Sequence, residues 1–148
     1  MPGNSDPIFI RVGKNSSVLV TAANTSSQGG GTIGTDIFLA FTADATNGSF
    51  VRRLDWIPTA TTPTTTTATV GRIFLSSVSS GATTSANTRL LAEVTLAAVA
   101  ADNASAPVFP LVIPLDLVLA PGETILATNH AAPAANTAWR VNVIGGDY

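Results

Sequence analysis

The chain contains short stretches in which apolar and polar side chains alternate with a period of two, the pattern of a strand that buries one face. In Phe50–Ile57, Phe50, Leu54 and Trp56 fall on one face, with Arg53 and Asp55 on the other; in Ala138–Ile144, Trp139, Val141 and Val143 alternate with Arg140 and Asn142. Clusters of Gly, Pro, Asn and Ser bound these and further Val-, Ile- and Thr-rich stretches. Together they predict strands at Ser17–Ala23, Asp36–Ala43, Phe50–Ile57, Ala68–Ser76, Arg89–Leu96, Val108–Leu115, Thr124–Thr128 and Ala138–Ile144. Only Leu90–Ala101, rich in Ala and Leu, competes as a helix, and Val94-Thr95 with the Asp102-Asn103 pair that follows assign it to strand and then loop. Short strands with turn signals about every 8–15 residues predict an all-β chain, an antiparallel β-sandwich of the eight-stranded jelly-roll kind.

The intervening segments refine this picture. Asn24–Gly34 is Gly/Ser-rich and reads as a flexible loop, and Thr59–Thr67 (TATTPTTTT) reads as a hairpin tip between the strands on either side. Residues 1–16 hold an apolar island, Ile8-Phe9-Ile10, between Pro/Gly/Asn-rich stretches. They are read as an N-terminal arm on a single domain of residues 17–148. Pro2, Gly3, Pro7 and Gly13 disfavour a helix there, so Ile8, Phe9, Ile10 and Arg11 are the candidate partner-contacting residues, added as a strand to a sheet of a neighbouring subunit or of the protein on which the chain assembles. The alternative is that Ile8–Val12 is a ninth strand of its own sandwich.

Of the 148 residues 45% are hydrophobic and only 11% charged, so Ser, Thr, Asn and Ala cover most of the surface, a composition suited to packing against other copies or partners. A net charge of −2 with a single lysine, Lys14, speaks against nucleic-acid binding. The absence of cysteine excludes disulfides and thiolate chemistry. No apolar run reaches the roughly 18 residues a membrane span needs. The beginning, Met1-Pro-Gly-Asn-Ser-Asp6, has no basic n-region and no apolar core, which predicts a soluble protein made in the cytoplasm.

Candidate chemistry is thin. His130 is the only imidazole, no Ser sits in a nucleophile elbow, and the carboxylates Asp36, Asp55, Glu93, Asp116 and Glu123 each fit a turn, a strand opening or an outward strand position rather than a catalytic pair. No His/Cys/carboxylate spacing predicts a metal site, and Gly29–Gly34 lacks the Gly-Lys-Ser/Thr ending of a phosphate loop. The expectation is no catalytic residue, no cofactor and no metal. Arg52-Arg53 is the only basic doublet; strict alternation puts Arg52 on the face of Leu54 and Trp56.

Four segments carry a resemblance. Val51-Arg-Arg-Leu-Asp-Trp-Ile-Pro-Thr-Ala-Thr61, then Ala68-Thr-Val-Gly-Arg-Ile-Phe-Leu-Ser-Ser77, then Pro114-Leu-Asp-Leu-Val-Leu-Ala-Pro-Gly122, and the ending Trp139-Arg-Val-Asn-Val-Ile-Gly-Gly-Asp-Tyr148 resemble small virion structural proteins of tailed bacteriophages. The resemblance covers roughly residues 40–148 and leaves residues 1–35 unmatched. It implies a non-enzymatic head decoration (cement) protein on the virion head surface, partnered by the major capsid protein and by its own copies as a homotrimer. The competing reading is a tail-fibre or receptor- or carbohydrate-binding module. That reading needs exposed aromatics, whereas the phase of Trp56 and Trp139 predicts burial.

Overall fold

The computed structural model describes residues 10–101 and 110–148. Along the chain run β1 (Val12–Val20), β2 (Gly31–Thr32), β3 (Phe38–Thr42), β4 (Ser49–Ala60), β5 (Thr64–Thr65), β6 (Thr69–Ser76), β7 (Ala82–Thr83), β8 (Thr88–Leu96), β9 (Ala100–Ala101), β10 (Leu111–Leu119), β11 (Thr124–Asn129) and β12 (Thr137–Asp147). Each of the eight predicted strands has a counterpart among the described residues, although Val108 and Phe109 of predicted Val108–Leu115 lie outside them, and the Leu90–Ala101 segment is strand β8, a short connection and β9, with no helix.

The longer strands form two four-stranded sheets, sheet A in the order β1-β12-β4-β10 and sheet B in the order β3-β11-β6-β8. Their antiparallel pairings are nested: β1 with β12, β3 with β11, β4 with β10 and β6 with β8. That nesting is one long hairpin rolled into two facing sheets, the eight-stranded jelly roll. The core between the sheets holds Val51, Leu54 and Trp56 of β4, Val141 and Val143 of β12, Ile73 and Leu75 of β6, and Ile125 and Ala127 of β11. The inward-facing residues of β4, β6, β11 and β12 therefore build the core from the middle strands of both sheets.

The middle of sheet B is covered on its other face as well, while its edge strand β8 keeps Arg89, Leu90, Glu93 and Thr95 exposed. Residues 21–37 are tied back to it by the Asn24 N–H bond to the Asn129 carbonyl, and β2 pairs with β7. The segment seats Ile33 and Ile37 on Phe74, Leu126 and Leu39, a second small apolar cluster. Every residue of β11 is consequently buried.

The structure departs from the sequence reading in three places. The Thr-rich segment is not a hairpin tip, because β4 and β6 belong to different sheets; it crosses between them, and Thr64–Thr65 pairs with Ala100–Ala101. The edge strand begins at Val12 rather than at Ser17, so Val12–Ser16 pair with Asp147–Val143 inside the sandwich. Last, Arg52 does not share a face with Leu54 and Trp56. Val51 pairs with Gly145 and Arg53 with Ile144, leaving Arg52 as an extra residue in a bulge. The bulge flips the alternation, so Val51 rather than Phe50 enters the core and both arginines are exposed.

Candidate functional site

The sequence-nominated carboxylates are dispersed from one another, each serving its own neighbourhood. Asp36 Oδ1 accepts the Thr32 N–H at 2.6 Å within the draped segment. Glu123 accepts the Ala120 N–H at 2.8 Å in a turn and lies 3.8 Å from Arg89 Nη2. Asp116 stands in the irregular part of β10 with φ +44°. Asp55 lies on the outer face of sheet A, where Arg53 Nε approaches its Oδ1 to 3.1 Å and Arg53 Nη2 bonds Oδ2 at 3.4 Å. The first approach lacks hydrogen-bond alignment, so Oδ1 has a Coulombic neighbour and no hydrogen-bond donor. Among the described residues, no three His, Cys, Asp or Glu side chains come together as a metal-holding group. No helix of the described residues is long and apolar enough to cross a membrane.

Glu93 and His130 meet at a residue the sequence reading passed over. Arg72, 7% exposed, sends Nε to Glu93 Oε1 at 2.5 Å, while its Nη1 reaches the Asn24 carbonyl and His130 Nδ1, both at 3.3 Å. With Arg72 as the donor, His130 accepts through Nδ1 in its neutral form. The cluster clasps residues 21–37 to the outer face of sheet B, a structural task. A signal for it was present: Gly71–Leu75 is a nearly continuous apolar run, which marks a strand buried on both faces, so its arginine has to be buried and paired.

Sheet A differs in that no described segment lies over its outer face. Cross-strand register sets out rows on it: Asn15, Ile144, Arg53 and Pro114; Ser17, Asn142, Asp55 and Val112; Leu19, Arg140 and Ile57. Val112 is 48% exposed, Val118 61% and Leu19 38%, and Arg140 Nη1 donates to Ser17 Oγ at 3.1 Å. Beside the Leu19–Arg140 row lies a shallow depression of about 440 Å³ lined by Thr21, Thr59, Asn136 and Ala138. The face is mixed apolar-polar, with arginine as its cation, a make-up common at protein contact surfaces.

Of the predicted contact residues, Ile8 and Phe9 lie outside the described residues. Ile10 is 44% exposed, packs beside Gly146, and is followed by Arg11, whose N–H bonds the Asp147 carbonyl at 2.9 Å. Trp56 and Trp139 are 0% and 3% exposed, so neither forms a platform for a sugar. Comparison with family models, with curated proteins and with solved structures gives no match.

Proposed function

We propose that the chain is a non-enzymatic virion structural protein, a decoration or cement protein that lies on the outside of a phage head shell and stabilises it. The observation that carries the reading is an asymmetry of the sandwich: residues 21–37 cover the middle strands of sheet B, whereas no described segment lies over the outer face of sheet A, where Leu19, Val112 and Val118 are exposed. A shell lattice offers many equivalent shallow sites, and weak contacts repeated at each of them sum to firm attachment without a deep pocket. The near-neutral composition suits dense packing on such a lattice. Sheet A, with Ile10 and Arg11 at its corner, is the proposed contact surface, and the major capsid protein the proposed partner.

Adding purified protein to heads that lack it, then sedimenting and heating them, tests the reading. Saturable co-sedimentation with raised thermal stability of the shell supports it. Binding to tails or to a glycan, with none to heads, would establish the receptor-binding alternative instead.

A further inference from the structure

An exposed strand edge is a template for pairing, and sandwich proteins commonly guard theirs. Here the four edge strands are β1 and β10 in sheet A and β3 and β8 in sheet B. Three of them carry a bulge of their own. In β3, Phe41 pairs with Ile125 and Leu39 with Leu126, leaving Ala40 as the extra residue, and its carbonyl accepts the Ser16 hydroxyl. In β8, Leu91 is extra between Leu90 and Ala92. In β10, Leu115 and Asp116 together stand against the single residue Arg52, and the neighbouring Pro114 has no N–H to offer.

β1 has no such device. Its nine residues pair with β12 in unbroken register, without proline, and its far edge pairs with no strand among the described residues. We propose that this edge is covered by β1 of a second copy, antiparallel, about a two-fold axis at Ser16, a dimer in place of the homotrimer that the resemblance implies. Directly opposed residues share a face, so the core side of one sheet A continues into that of the other only if the axis passes through a residue. Among such registers, the axis at Ser16 engages all of Val12–Val20.

In that register Val12 meets Val20, Asn15 meets Ser17, and Ser16 meets its own copy. Lys14 meets Val18, so the two lysines stay apart, and each remains 3.3 Å from the Asp147 of its own chain. The same patch serves both copies, as two-fold closure requires. The result is one continuous eight-stranded sheet. This inference does not depend on the shell-binding reading, since it concerns the protein alone.

The chain has no cysteine, so a single introduced thiol reports cleanly. Across an antiparallel pair, opposed Cα atoms lie about 4.5–5.5 Å apart, within disulfide range. Ser16→Cys is therefore expected to oxidise to a covalent dimer roughly tenfold or more faster than Ser85→Cys, an exposed position in the β7–β8 connection, because pairing raises the local thiol concentration. Wild-type protein is expected to sediment as a dimer in the micromolar range, a readout that needs no variant. A wild-type monomer or trimer, or equal oxidation rates for the two cysteine variants, would overturn the proposal, whatever the protein does on heads.

Discussion

The indole of Trp56 lies where a side chain on Gly71 would stand: a Cβ at residue 71 would come within 3.1 Å of Trp56 Cζ2 and 3.0 Å of Leu96 Cδ1. The two residues belong to opposite sheets, β4 and β6, so this contact sets how closely the layers approach. Because interiors are close-packed, added volume there has to displace the ring. Gly71→Val is expected to lower stability by about 1–3 kcal/mol, as overpacking does. Combining it with Trp56→Leu should recover part of the loss, and denaturant unfolding of the four members of the cycle reads the coupling; strict additivity would mean that the ring is not the obstacle.

The Arg72 clasp makes a second, local prediction. Glu93 is 44% exposed at its side chain, which discounts the ion pair, but Arg72 is buried and loses its charged partner when Glu93 is neutralised. Glu93→Gln is expected to cost about 1 kcal/mol. Hydrogen exchange should quicken at Asn24 and Gly30, whose segment the clasp holds, while amides of the β4–β12 ladder keep their protection. Uniform loss of protection would assign Arg72 to global stability instead.

A third prediction concerns acid. The backbone N–H groups of Asn47 and then of Thr46 donate to Asp44, and Lys14 adds a smaller attraction; together they hold its carboxyl below the usual range. A depressed folded pKa contributes stability that is complete above the unfolded value and is lost as pH falls through the folded one. The Asp44–Ser49 turn is therefore expected to loosen only below about pH 4. The Asn47 and Thr46 amide shifts, followed by NMR, should titrate with Asp44. A midpoint at or above the free-carboxylate value would contradict the hydrogen-bonded turn.

The strands were legible in the sequence because their burial follows a local period, and Trp139, Val141 and Val143 show it plainly. What escaped is set by distant partners. Gly13–Ser16 is polar and looks like part of an arm, yet its backbone pairs with β12, and Lys14 finds Asp147 and lies 5.2 Å from the Phe41 ring centroid. The Arg52 bulge breaks the alternation without any Gly or Pro beside it in its own strand, and the Gly145 that faces it lies far along the chain. Crossover and hairpin share the same turn residues, so the Thr-rich segment could not reveal which sheet it enters. The Arg72 cluster needs knowledge that residues 21–37 fold over sheet B, information absent from any single strand. Carboxylates that looked unremarkable one by one proved to be dispersed.

The decoration reading is tested most directly by an electron cryomicroscopy reconstruction of phage heads prepared with and without this protein. The account predicts jelly-roll density on the outside of the shell at repeated lattice positions, with the open face of sheet A turned toward the capsid and the segment of residues 21–37 turned outward. Heads identical in both preparations, with the density at the tail or nowhere on the particle, would contradict it.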